Sequence, residues 1–165
     1  MINSNTEPEE DHRRVGIRYV GGPTAVLAVG GLRLLTDPTF DPPGDHPVGN
    51  RVLVKTSGPA VSPEALGAVD AVLLSHDQHP DNLDTLGREY LARVPLVLST
   101  ATAQGRLMGT VRALPNWKQA ELPRPGGGVL RVTGVPAQHG PDGTEHIVGE
   151  VTGFVLGGDD LPRST

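Results

Sequence analysis

One short apolar run that ends in a cluster of ligand-type side chains constrains this chain most. Ala71-Val72-Leu73-Leu74 is flanked by Asp70 and Ser75. Its length and its neighbours predict a strand buried on both faces. The polar segment His76-Asp77-Gln78-His79-Pro80-Asp81-Asn82 follows at once, and Leu83, Leu86, Tyr90 and Leu91 then recur at helical spacing. That spacing predicts a helix of roughly three turns. Where a strand gives way to a loop in an α/β fold, the sheet holds the loop rigidly, and active sites gather there. His76 and His79 are three residues apart, so a helical turn would set both imidazoles on one side. Asp81 follows two residues later, and His139 ends a separate predicted strand, Val129 to Val135. Neutral imidazoles with a carboxylate suit zinc, and also manganese or iron. Two histidines from one strand end and a third from another make a three-histidine site with a position left open for water.

Each residue also has a plainer reading. Asp81 or Asn82 can serve only to cap the following helix, and His139 can be an ordinary turn histidine. Asp37 ends the predicted strand Leu34-Leu35-Thr36 and precedes Pro38. It either braces a metal-binding histidine from behind or starts an Asp-Pro turn. His46 in Asp45-His46-Pro47 and His146 in an expected hairpin loop read as loop residues, and His12 lies in the amino-terminal segment. The glycines near Gly21 and Gly30 form no phosphate-binding pattern, and no serine has a nucleophile-elbow context.

The remaining pattern is that of a mixed α/β chain. Residues 1–14 are polar and acidic and predict a disordered tail. Val15 to Gly21, Thr24 to Val29 and Leu32 to Thr36 predict a meander with a tight Gly30-Gly31 turn. A long irregular loop is expected from Asp37 to about Pro59. Ser62-Pro63-Glu64 reads as an N-cap followed by proline at the first helical position. Leu96 to Ser99 predicts a strand, Ala101 to Met108 a helix, and Val148 to Leu156 the last strand.

Composition narrows the function classes. Aromatic residues make up only 3% of the 165, so the core must be built from Val, Leu and Ala. The formal net charge is -5, and no basic run exceeds a pair, so nothing argues for nucleic acid. There is no cysteine, which excludes disulfides and thiolate metal sites. No apolar stretch approaches the ~20 residues of a membrane span. A cytoplasmic protein acting on a small molecule is expected.

With these residues in view, Leu34-Leu35-Thr36-Asp37-Pro38-Thr39-Phe40, Val72-Leu73-Leu74-Ser75-His76 and Asp81-Asn82-Leu83-Asp84 resemble the metallo-β-lactamase superfamily. The branch they resemble includes L-ascorbate-6-phosphate lactonase and N-acyl-phosphatidylethanolamine phospholipase D. The resemblance runs from about Gly16 to Leu156. It implies an αββα sandwich, here partial, occupying 15–165 as a single domain, and a metal-dependent hydrolase holding one or two zinc ions. The family's His-x-His-x-Asp-His pattern implies His76 and His79 as first-site ligands, Asp81 as a second-site ligand and the catalytic carboxylate, and His139 as the completing histidine. Two departures stand out: an extra residue separates His76 from His79, and Asn82 replaces the last histidine. Asp37 matches the supporting Asp of the family. The family's bridging Asp and last histidine have no counterpart before Thr165. The expected product is therefore a truncated chain, a fragment, or a protomer completed by another copy or a partner. The expected function is hydrolysis of a lactone, amide or phosphodiester. The rival expectations are a non-catalytic homologue and a polar binding module whose histidines merely cap the helix.

Overall fold

A computed structural model describes residues 15–159 and 161; the expected tail over 1–14, with His12, lies outside the described residues. Strands β1 (Val15–Gly21), β2 (Thr24–Val29) and β3 (Leu32–Thr36) form the antiparallel meander read from the sequence. At the β2–β3 turn Gly30 and Gly31 have φ of 61° and 81°, the left-handed pair that lets a two-residue turn follow the twist of its strands. The long loop expected after Asp37 instead contains a hairpin, β4 (Gly44–Val48) and β5 (Arg51–Lys55). Val52 and Val54 remain exposed there, so the hairpin lacks the burial that makes alternation diagnostic.

Helix α1 (Pro63–Leu66) starts as its sequence dictates, with the Ser62 hydroxyl accepting from the Ala65 amide. Strand β6 (Ala71–Leu73) leads through the polar loop to α2 (Thr85–Leu91). Then come β7 (Val97–Ser99), α3 (Ala101–Leu107) capped by Thr100, and β8 (Val111–Ala113), which the sequence did not suggest. The last part adds β9 (Gln119–Pro123), also unforeseen, β10 (Val129–Pro136), α4 (Glu145–Val148) and β11 (Thr152–Gly157). The expected strand from Val148 is thus corrected. Val148 ends a short helix, and His146 lies on that helix rather than in a hairpin loop.

Among the described residues one mixed sheet has the order β1-β2-β3-β6-β7-β8, and a second, antiparallel sheet has the order β11-β10-β9. The apolar run at β6 is continuous because both of its faces are covered. Val72 and Leu74 belong to a core with Val20, Leu35, Tyr90 and Leu91, on the side of helices α1 and α2. Ala71 and Leu73 belong to a second core with Leu34, Leu98, Leu122, Leu130 and Val132, between the two sheets. The layers are helices, mixed sheet, then antiparallel sheet, a partial αββα sandwich of α/β class. The far face of the second sheet presents Gln119, Glu121, Arg131 and Thr133 together with Val129, Val135 and the exposed Val155, a mixture of polar and apolar positions. No described helix is long and apolar enough to cross a membrane.

Candidate metal centre

The site lies where β6 and β10 both end. Pro136 at the end of β10 pairs with Thr152 at the start of β11, and the Thr152 amide donates to the Ser75 carbonyl at 3.0 Å. That bond ties the second sheet to the end of the metal-loop strand and brings His139 to the loop. His76 Nε2 is 3.1 Å from His79 Nδ1, which is 3.2 Å from His139 Nε2. The three rings meet edge-on, with centroids 4.9 to 5.1 Å apart. His76 is buried and the other two are half-buried. Together they form a group that could hold a metal ion. The expected helical turn is not what brings His76 and His79 together. Residues 76–79 form an irregular loop, and the extra residue between the histidines is absorbed in its bend.

Two side chains of the mixed sheet's helical layer shape that bend. The Asp77 carboxylate, almost fully buried, receives both Nε and Nη2 of Arg106, and Arg88 Nη2 donates to the Asp77 carbonyl at 2.9 Å. Burial alone would raise the Asp77 pKa, but the Arg106 hydrogen bonds and charge outweigh it and hold it below the usual value. A bidentate guanidinium of this kind fixes direction as well as charge.

Behind His76 stands a chain of hydrogen bonds. Asp37 Oδ1 accepts from the Ser75 amide at 2.7 Å, and its Oδ2 from the Ser75 hydroxyl at 3.0 Å and from Asn82 Nδ2 at 3.2 Å. Asn82 Nδ2 also lies 3.1 Å from Ser75 Oγ, which is 2.9 Å from His76 Nδ1. A hydroxyl has one hydrogen and two lone pairs. The hydrogen goes to the Asp37 carboxylate and one lone pair to Asn82, so the other must accept from His76. His76 therefore carries its proton on Nδ1 and turns the lone pair of Nε2 toward the other histidines, the tautomer a metal requires. Of the two readings of Asp37, the structure shows the brace. Asp37 also has φ of 28°, an unusual backbone for a non-glycine residue, locked by the buried Thr24 hydroxyl donating to its carbonyl at 2.7 Å. Such strain concentrates at functional sites.

The sequence reading missed the parts played by Ser75 and Asn82. Asn82 occupies a ligand position of the family pattern, yet its amide serves Asp37 and Ser75. A serine immediately before the first histidine, at a strand end, was the available signal. Asp81 is exposed and does not join the three-histidine group, although its charge raises the pKa of both His76 and Asp37.

The donor set fits a zinc-class ion. Bonds of about 2.0 to 2.1 Å from zinc to nitrogen place tetrahedral ligands ~3.3 Å apart, close to the two nitrogen separations above. With all three inner nitrogens unprotonated, the tautomers a metal requires, their lone pairs would repel one another and a cation would relieve them. Burial, then the neighbouring His139 and His79, push the His76 pKa down to about 4, so the ring is neutral and ready to bind at neutral pH. Burial pushes Asp37 up to about 6, against the lowering hydrogen bonds from Ser75 and Asn82.

These two shifts have opposite consequences for the metal-free chain. A histidine depressed from 6.5 to about 4 binds fewer protons folded than unfolded, so its contribution to stability rises with pH through that window. An aspartate raised from 3.8 to about 6 binds more protons folded, so its contribution falls over nearly the same window. In the native chain the trends offset. In His76→Gln the Asp37 trend is no longer offset by His76. Urea denaturation of that variant should show stability falling from pH 4 to pH 6; a flat or rising profile would contradict the assignment.

No family model matches the chain. Over 77 residues, 45% of its length, it is 43% identical to uncharacterized proteins of Mycobacterium bovis and Mycobacterium tuberculosis, of which the match covers 19%. Among solved structures it is similar to isothiocyanate hydrolase from Delia radicum gut bacteria, with 23% identity, TM-score 0.67, and coverage of 86% of this chain and 58% of that one. A possible metal-dependent hydrolase from Veillonella parvula gives 17% identity, TM-score 0.68, and coverage of 87% and 58%. A diiron β-hydroxylase from Streptomyces venezuelae gives 19% identity, TM-score 0.57, and coverage of 87% and 27%. The chain thus spans little more than half of the two hydrolases and about a fifth of the curated relatives. At these identities the likeness carries the fold alone, one that this chain shares with these proteins.

Proposed function

We propose that this chain carries the first metal site of a metallo-β-lactamase-type hydrolase, with His76, His79 and His139 as ligands of a zinc-class ion. The observation that supports this most is the convergence of three imidazole nitrogens from two sheets, with the His76 tautomer set by Asp37 through Ser75. When bound, the ion supplies Lewis acidity, making water more acidic and polarising a substrate oxygen. The remaining work falls to the chain itself. Asp37, Ser75 and Asn82 hold His76, Asp77 and Arg106 hold the loop, and the exposed Asp81 is the carboxylate we assign to taking a proton or to a second ion. The open groove of about 720 Å³ lined in part by Gln138, His139 and Asp142 gives a small molecule access to the centre. The substrate class is an electrophilic carbonyl or phosphoryl: a lactone, amide or phosphodiester, as in the lactonase and phospholipase D branch. The isothiocyanate carbon of the similar hydrolase is a comparable electrophile. Homo-oligomerisation or a completing partner belongs to this reading, and the exposure of Val15, Ile17 and Tyr19 on β1 supports it.

A non-catalytic homologue is the second reading, favoured by Asn82 serving as a brace where the family pattern places a ligand. Elemental analysis and hydrolysis assays separate the two. The hydrolase reading expects close to one zinc, manganese or iron ion per chain and turnover of generic lactone, ester or phosphodiester substrates. Metal without turnover selects the second reading. Less than a stoichiometric trace of metal, with no turnover, removes the first.

A further inference from the structure

His139 lies in the segment that leaves β10 at Pro136 and enters β11 at Thr152. Its imidazole meets the loop histidines because that segment folds back toward the mixed sheet. Two contacts at the far end of the segment hold it there. The Glu150 carboxylate accepts from the Thr102 amide at 3.1 Å and from the Thr102 hydroxyl at 2.9 Å. Thr102 stands in the first turn of α3, which follows β7, the strand beside β6. One residue before Glu150, Gly149 has φ of 81°, and the Gln78 amide occupies the space that a side chain at 149 would fill. Gln78 lies between the two loop histidines, in the stretch that carries one residue more than the pattern it resembles. Close to the ligand itself, the Gln138 amide donates to the Asp142 carboxylate and closes the turn around His139.

We infer that Glu150 and Gln78 are positioning residues of the metal centre: together they clasp the segment that carries His139 onto the metal loop. The clasp deepens the hydrolase reading and rests on it for the presence of a metal. His76 and His79 share one loop, whereas His139 arrives from the other sheet. A full donor set therefore exists only in the fraction of metal-free chains whose segment is closed. The apparent dissociation constant of the metal rises as that fraction falls. Opening the Glu150 contact should lower the closed fraction on the order of tenfold, the scale of one net hydrogen bond to a charged group at an exposed site. The extra length of the metal loop presents Gln78 to Gly149, and only a glycine at 149 leaves room for the amide. Gly149 and Glu150 line the same open groove as His139, so clasp and ligand border one space.

The test measures the zinc dissociation constant of the full chain by competition with a chromophoric chelator, beside the Tm of the metal-free sample. Gln78, Thr102 and Glu150 are exposed, so their variants should fold. Glu150→Ala should weaken zinc about tenfold, and Gln78→Ala about threefold. Thr102→Ala, which removes one of the two donors and no charge, should also weaken it about threefold. Glu150→Gln keeps an acceptor oxygen and should stay within about threefold of the native chain. That variant separates positioning from the loss of a negative charge near the ion, which would make the Gln and Ala variants alike. A merely structural contact would lower the Tm of the metal-free chain and leave the zinc constant of the folded protein unmoved. That result, or Glu150→Gln as weak as Glu150→Ala, overturns the proposal, and unchanged affinity in either alanine variant of the pair removes that residue from the clasp. A native chain that takes up no zinc removes the hydrolase reading and the clasp with it. Zinc held equally by the native chain and Glu150→Ala removes the clasp alone.

Discussion

His139→Ala should cost the chain its bound metal although the substitution lies 60 residues from the loop that supplies the other two ligands. The proposed site has three protein donors, and two imidazoles on a short loop are a weak chelate without the third. Even residues that merely support a ligand typically cost 10- to 100-fold in metal affinity when removed; losing the ligand itself should cost more than ~100-fold. His139 is half-buried and stands past the end of β10, so the variant should fold. The measurement is zinc stoichiometry after dialysis against a weak chelator, beside circular dichroism of the same sample. Asp37→Ala should show a milder version, about 10- to 100-fold, because it frees the Ser75 hydroxyl and with it the His76 tautomer. Native metal content in folded His139→Ala would remove His139 from the site.

Asp84→Ala should be the most damaging single change to stability. Its carboxylate is fully buried and accepts from the amides of Phe40, Asp41 and Gly87 at 2.7 to 2.9 Å, and from Lys55 Nζ at 3.1 Å. It is at once the N-cap of α2 and the knot joining that helix to the segment after β3. Alanine leaves three amide hydrogens and an ammonium without their acceptor. Each unsatisfied buried group costs about 1–3 kcal/mol, and breaking a buried charged pair costs about 3–5 kcal/mol. These overlap rather than add, so a loss of roughly 4 kcal/mol is expected, or on the order of 10 °C in Tm for a chain of this size. Asp84→Asn, which keeps one acceptor oxygen, should lose less. A urea midpoint in Asp84→Ala within error of the native chain would show that the knot is not needed.

The parts of the fold that could be read in advance are those where burial writes a pattern. β6 is apolar throughout because it has a core on each face, and β2, β3 and β10 follow the same logic with one or two covered faces. Helix α1 announces itself through Ser62 and α2 through its apolar spacing, but the cap of α2 is Asp84 rather than Asp81 or Asn82. The hairpin at 44–55 was missed because its outward valines touch solvent. Strands β8 and β9 were missed because they are short and bury little, Val111 in β8 and Ala120 and Leu122 in β9. At the centre, the residue types of His76, His79 and His139 were legible, because chemistry selects them. Their meeting was expected; the contacts that bring it about were not legible, Thr152 meeting Ser75 and Arg106 reaching Asp77, between segments 77 and 29 residues apart along the chain. The role of Asn82 was hidden for the same reason: its partners, Asp37 and Ser75, come from the ends of two neighbouring strands.

The docking of the second sheet has a mechanical consequence. At the metal end the two sheets meet through the Thr152–Ser75 backbone bond and through the meeting of His139 with the loop histidines. An ion held there acts as a buckle across the sandwich, fastening a strap that runs from residue 76 to residue 139. Unbuckled, β10 and β11 keep their apolar core and the Thr152–Ser75 bond but would lose the second fastening at that corner. Metal occupancy would then be felt along the whole antiparallel sheet, well beyond the three rings that hold it.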